Sequence, residues 1–253
     1  MKTRSLGVTL CVLSCLWPCG GDARAGEFSV NPVRIELGAT ARSGAVEIRN
    51  EGQHPLGFQI QAMEWTQDAE GQDQYAETAD LIFYPKVVTV EPGRERVVRV
   101  GTRTPVVAIE RTYRLFIEEL PTNVRQAEGA RAQIGFLIRF GAPVFVAPLK
   151  PEDALSLEDI TLGPRRVTAS ARNAGNRHQV VTGIQVRGTD ANGNEVFAKT
   201  LADRYLLAGT TKSYTASITS EQCRATAAVE VEIRTDKASA RRQARVTPEL
   251  CAQ

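Results

Sequence analysis

Apolar residues along this chain recur at every second position over short runs, with almost nothing of helical period. Residues 44–49, 58–65, 87–90, 95–100, 113–119 and 132–140 alternate apolar with polar, or run apolar, at strand lengths, which predicts a succession of β-strands. Between such runs stand Asp68-Ala69-Glu70-Gly71 and Asp190-Ala191-Asn192-Gly193, where Gly or Asn can take positive φ and reverse the chain. Short strands divided by turns of this kind predict an all-β protein built as β-sandwiches, not an α/β arrangement. In the run 58–65, Met63 and Trp65 are expected to face inward as core residues.

The pattern also echoes itself. Ile48-Arg49-Asn50-Glu51-Gly52-Gln53, ahead of the strand at Phe58, resembles Ala171-Arg172-Asn173-Ala174-Gly175-Asn176, ahead of an apolar run at 180–186. Each is followed, about forty residues on, by an apolar segment ending in a Gly turn: Val90-Glu91-Pro92-Gly93 in the first half and Leu206-Leu207-Ala208-Gly209 in the second. Two matches in the same order predict two tandem immunoglobulin-like sandwiches of ~100 residues each. Apolar alternation stops around Pro148 and Pro151, which reads as the linker. The expected division is residues 1–25 as a signal peptide, 26–147 as the first domain and 148–253 as the second.

The signal peptide rests on Lys2 and Arg4 ahead of an apolar run at 6–17, with Ala23-Arg24-Ala25 supplying small residues at the cleavage positions. The run is shorter than the ~20 residues a membrane-crossing helix needs, and no later stretch comes close, so no membrane insertion is expected. Lipidation at Cys15 or Cys19 is the rival reading, but bulky or rigid residues stand where small ones are needed. Cleavage changes the charge: the full chain has 31 basic and 29 acidic residues, whereas the remainder has 28 of each. A neutral chain carries no footprint for nucleic acid or anionic membrane. The basic stretch 237–245 lacks interleaved aromatics for base stacking and reads as a solvated turn.

Of five cysteines, Cys11, Cys15 and Cys19 lie in the leader, leaving Cys223 and Cys251. In a compartment that permits disulfides these two suggest one bridge, worth about 3 to 4 kcal/mol by chain entropy. A redox or metal pair would want a CxxC spacing or a nearby histidine, and neither is present. The two histidines, His54 and His178, sit beside the echoed turns and are expected on exposed loops. No GxSxG, HExxH, GxGxxG or Walker pattern occurs. Glu118 and Glu119 are strand neighbours that point to opposite faces and cannot share a substrate. No enzyme activity, metal or cofactor is expected.

Four motifs in order carry a family resemblance: Val30-Asn31-Pro32-Val33-Arg34-Ile35; Phe83-Tyr84-Pro85-Lys86-Val87 leading to Val90-Glu91-Pro92-Gly93; Val97-Val98-Arg99-Val100; and Tyr113-Arg114-Leu115-Phe116-Ile117-Glu118-Glu119-Leu120-Pro121. Together they resemble the PapD-type periplasmic pilus chaperones, and Gly141 to Val146 with the late cysteine pair resemble the divergent branch that serves spore-coat-like pilins. The resemblance implies two sandwiches in a boomerang arrangement, located in the periplasm. It implies binding of pilus subunits by donor-strand complementation, in which an edge strand fills the subunit's apolar groove, and delivery to an outer-membrane usher. Arg34 matches the cleft arginine that binds the subunit's C-terminal carboxylate, a task suited to a two-pronged guanidinium. Arg139 is the candidate second cation, although Arg139-Phe140-Gly141-Ala142-Pro143 is one residue shorter than the family pattern. That departure also removes the arginine that Glu119 would meet across the domains by analogy.

The donor strand implied is the segment ending at Arg139 and Phe140, in which Ala132, Ile134, Phe136, Ile138 and Phe140 are apolar and share one face when extended. It would be the final strand of the first domain, an edge. A lone sandwich explains the same row as its own inward face. The alternative function is a secreted two-domain Ig-like structural or adhesive pilus component. Such a subunit would carry an extension of alternating apolar residues before its first strand, whereas this chain enters its first strand soon after Gly26.

Overall fold

A computed structural model describes residues 27–68, 70–104, 107–121 and 136–251. Among the described residues the first half contains ten strands: β1 (Phe28–Asn31), β2 (Ile35–Leu37), β3 (Ser43–Asn50), β4 (Leu56–Gln67), β5 (Asp73–Glu77), β6 (Leu81–Tyr84), β7 (Val87–Val90), β8 (Glu95–Thr102), β9 (Arg111–Glu119) and β10 (Arg139–Val146). One sheet runs β1-β3-β8-β6; the other runs β2-β10-β9-β4-β5, with β7 also paired to β4. The opening segment serves both sheets, since β1 pairs antiparallel with β3 and β2 pairs parallel with β10. Between them lies Pro32, which has no N–H to leave unpaired as the chain crosses over.

Alternation does the folding. Val46 and Ile48 on β3, Val98 and Val100 on β8, and Tyr113, Leu115 and Ile117 on β9 are buried in one core with Phe58 and Ile60 of β4. Their neighbours in sequence point to the outer faces. Pairing through every second side chain fixes the register, because a one-residue slip would turn this whole row to water.

The second half repeats the plan with β11 (Leu155–Gly163), β12 (Arg166–Asn173), β13 (Gln179–Thr189), β14 (Glu195–Leu201), β15 (Tyr205–Leu206), β16 (Thr211–Ser217), β17 (Ala228–Thr235) and β18 (Ser239–Arg245). Sheets β11-β12-β16 and β14-β13-β17-β18 enclose a second core around Val167, Ile184, Val186, Val229, Val231 and Ile233. A one-and-a-half-turn helix α1 (Ser220–Ala225) is closed at its start by a reciprocal pair: Gln222 N–H donates to Thr219 Oγ1, and Thr219 N–H to Gln222 Oε1. The protein is thus all-β in two tandem immunoglobulin-like sandwiches.

The echoed motifs are one device used twice. Asn50 and Asn173 are wholly buried. Asn50 Nδ2 donates to the carbonyls of His54 and Val90, and its Oδ1 accepts from Gly52 N–H. Asn173 does the same with Arg177, Leu206 and Gly175. Each asparagine carbonyl then accepts from a positive-φ glycine, Gly93 in the first half and Gly209 in the second. The side-chain amide ties the start of one hairpin to a turn about forty residues later in sequence, which is why both ends of the echo are needed.

A disulfide joins Cys223 to Cys251, with Cα atoms 5.7 Å apart. It ties α1 to the closing 3-10 turn (Pro248–Cys251), not two strands to one another. The basic stretch is not a solvated turn either. Only its start is a turn, and 239–245 form the edge strand β18, where Arg241 reaches Glu230 and Glu232 of β17 while Arg242 donates to the Leu157 carbonyl. Charged side chains on an exposed edge strand oppose pairing with another chain.

Candidate functional site: an open strand edge and an interdomain cleft

The final strand of the first sandwich is only half covered. Its residues 144–146 pair with β2, whereas Arg139–Pro143 face β9 on one side and no strand among the described residues on the other. The segment is therefore an open edge over its first five residues and an inner strand beyond them. Exposed backbone N–H and C=O groups along such an edge can accept another strand.

Side chains grade along this segment. Phe136 is 84% exposed and Leu137 57%, while Ile138 is half-buried. Phe140 packs partly against the first core, and Ala142, Val144 and Val146 lie fully in it. The apolar row that fills the sandwich at one end thus runs on toward its rim at Phe136. Phe140, expected on the partner-facing row, is tied to the protein's own core because it continues the parity of Ala142 and Val144. Ala132 and Ile134 lie outside the described residues.

Arg34 lies between β1 and β2, at the level of Pro143 one row along the sheet. Ile35 and Leu37 take the inward positions, so Arg34 and Glu36 take the outer face, where they pair at 3.0 Å. Arg34 lines a cavity of about 90 Å³ with Glu36, Glu110, Phe145, Ala147, Pro151, Arg177, His178, Asp236 and Lys237, a lining drawn from both sandwiches and the segment joining them. Arg139 is not there. It stands four residues before Pro143, about 13 Å along the strand, with its guanidinium 3.4 Å from Glu118 and over the Phe116 ring. Glu119 makes no interdomain contact among the described residues; its carboxylate accepts from Ile138 N–H.

The wall of the cleft is an aromatic cluster that the sequence pattern concealed. Trp65 and Phe145 of the first sandwich pack with Tyr205 and Leu207 of the second. Trp65 is buried, yet not in the first core: Phe58, Ile60 and Ala62 face inward at even positions, so Trp65, at an odd one, lies on the outer face and turns to the neighbouring sandwich. Met63 shares that outer face. His178, expected on an exposed loop, is instead buried and stacked on Phe145 at 3.6 Å. Glu110 accepts from the backbone N–H of His178 and lies 2.8 Å from its Nδ1. Gln67 bridges the sandwiches like a short strand, donating to the Tyr205 carbonyl and accepting from Leu207 N–H. Arg114 of β9 stacks over Trp65 at 3.8 Å and donates to the Gly141 carbonyl.

One sequence signal for this interface was available. Residues 142–146 read Ala-Pro-Val-Phe-Val without a polar break, as a strand covered on both faces does, and all five are buried. Arg114, Gln67 and Lys237 carried no such signal, since each is a polar residue in an ordinary outward position.

Residues 27–152 match the family model described as pili and flagellar-assembly chaperone, PapD N-terminal domain. The chain belongs to the PapD-like chaperone family. Solved structures agree at the level of fold. A chain of the CsuC-CsuE chaperone–tip adhesion subunit pre-assembly complex of Acinetobacter baumannii superposes with a TM-score of 0.59 at 17% identity, covering 86% of this chain and 98% of that one. The Salmonella enterica SafA pilin complex with the SafB chaperone gives 0.55 at 12% identity, with 87% and 97% covered. The CupB2 chaperone of Pseudomonas aeruginosa gives 0.52 at 14%, with 87% and 100% covered. No curated protein matches this PapD-like chain by sequence. Among the described residues, no helix is long and apolar enough to cross a membrane, and no group of three or more His, Cys, Asp or Glu is placed to hold a metal ion.

Proposed function

We propose that the protein acts in the periplasm as a chaperone that binds and stabilises pilus subunits by donor-strand complementation and passes them to an outer-membrane usher. The observation that carries this reading is the open edge at Arg139–Pro143, continued by the exposed Phe136 and lying on the same sheet as the interdomain cleft. A subunit lacking one strand gains main-chain hydrogen bonds from the edge. Its groove receives Phe136 and Ile138, with Ala132 and Ile134 as further contacts of the same row. Arg34 anchors the chain-terminal carboxylate. Its present partner, Glu36, is well exposed, so exchanging that ion pair for a docked carboxylate costs little. Arg139, held by Glu118 and Phe116 at the start of the edge, flanks the docked strand.

Co-expression with a pilus subunit, a small secreted β-protein that lacks one strand of its own sandwich, tests the reading. The chaperone should bring such a subunit into the soluble periplasmic fraction and co-purify with it. Arg34→Ala should keep the fold and lose the complex, a loss of about 2 to 5 kcal/mol for a buried charge-assisted contact. Subunit recovery equal with and without Arg34 would remove it from the site.

A further inference from the structure

Three cations line the Arg34 cavity, and they are not equally free. Arg177 is gripped by both oxygens of Asp153, at 2.7 and 2.5 Å. Among the anions, Glu110 is committed to the buried His178. Among the described residues, the ion pairs of Arg34 and Lys237 are with near neighbours in sequence, Glu36 at 3.0 Å and Asp236 at 3.1 Å, and Lys237 also lies in the field of Asp153. The Arg34–Glu36 pair is exposed and the Lys237–Asp236 pair partly so, and each is a single contact without the two-pronged grip of Arg177 on Asp153, so each exchanges more readily for a better-placed anion.

Lys237 is also held in position. It occupies the turn between β17 and β18, where Thr235 Oγ1 accepts from the N–H groups of both Lys237 and Ala238. Asp236 ties the same turn to β13, accepting from Val180 N–H through its side chain and donating to the Val180 carbonyl. The turn therefore holds Lys237, a lining residue of the cavity, on a base fixed by hydrogen bonds. A cavity of about 90 Å³ has room for a few waters, and so for a carboxylate, but not for a large side chain.

We propose that the carboxylate site is built across the two sandwiches, with Arg34 of the first and Lys237 of the second as its cation pair, and that Arg139 is not part of it. The proposal rests on the chaperone reading above and names the second cation of that same site. A carboxylate held by both cations would tie the sandwiches together, so ligand binding and interdomain geometry become coupled.

The test uses the full chain purified from the periplasm and an N-acetylated hexapeptide of alternating threonine and valine, as free acid and as C-terminal amide, titrated by NMR. The free acid should bind the wild type about tenfold or more tightly than the amide, as a charge-assisted contact gives. Lys237→Ala and Arg34→Ala should each erase that preference, Lys237→Arg should retain it, and Arg139→Ala should leave it unchanged. If Arg34→Ala erases the preference and Lys237→Ala does not, the interdomain pair is wrong while the Arg34 reading stands. If the wild type shows no preference for the free acid, or Arg34→Ala leaves it intact, the carboxylate reading itself fails and the pair fails with it.

Discussion

Removing the Asn50 side chain tests whether the echoed device holds the first sandwich together. Asn50→Ala deletes three hydrogen bonds at a wholly buried site and strands the carbonyls of His54 and Val90 and the N–H of Gly52. Each net bond contributes ~1 kcal/mol and each stranded buried group costs ~1 to 3 kcal/mol. Allowing water to reach the His54 carbonyl, whose residue is exposed, the expected loss is about 3 kcal/mol, a large part of a domain's usual margin. Asn50→Asp should do no better, because a carboxylate cannot donate to two carbonyl oxygens. Urea unfolding followed by circular dichroism reads the sandwich, and the fluorescence of Trp65 reads the interdomain cluster. Asn173→Ala should produce the same loss in the second sandwich. A change below ~0.5 kcal/mol for Asn50→Ala would refute the claim that this amide ties the hairpin to the Gly93 turn.

Two further outcomes follow from the geometry. Phe136→Asp should cost the free protein less than ~0.5 kcal/mol because Phe136 is exposed, whereas Phe140→Asp should cost more than ~3 kcal/mol by putting a carboxylate against the first core. Equal effects in thermal unfolding would show that the row does not grade from rim to core. Tyr113 is buried and donates its hydroxyl proton to Asp80, which together push the phenol up to about 12. The folded state therefore holds that proton more tightly than the unfolded chain, whose phenol titrates near ~10. This stabilisation is complete below pH ~10 and is lost as pH rises through about 12. Tyr113→Phe should cost about 1 kcal/mol at neutral pH and flatten the alkaline slope. Part of that slope should persist through Tyr214, raised by burial beside Asp203.

Much of the fold was legible because alternation and turn residues act locally. The runs at 44–49, 95–100 and 113–119 became β3, β8 and β9 with the expected faces, and Gly71 and Gly193 hold the positive φ their turns require. The echo was legible because one buried asparagine needs the same neighbours each time. What escaped were features that depend on a second sandwich. Trp65 reads as core from its own strand, yet its burial comes from Tyr205, some 140 residues away. His178 sits beside a turn, where exposure is the ordinary expectation, until Phe145 covers it. The cavity likewise joins Arg34 to Lys237, residues no spacing rule connects.

The measurement that bears most directly on strand donation is amide hydrogen exchange at β10, with the chaperone alone and bound to its subunit. Amides of Arg139, Phe140, Gly141 and Ala142 that point to the open edge should exchange readily in the free protein and become strongly protected in the complex. Those of Val144 to Val146, already flanked by β2 and β9, should be protected in both. Bound subunit with unchanged exchange along Arg139–Pro143 would contradict the account, because the chaperone would then hold its client without lending it a strand.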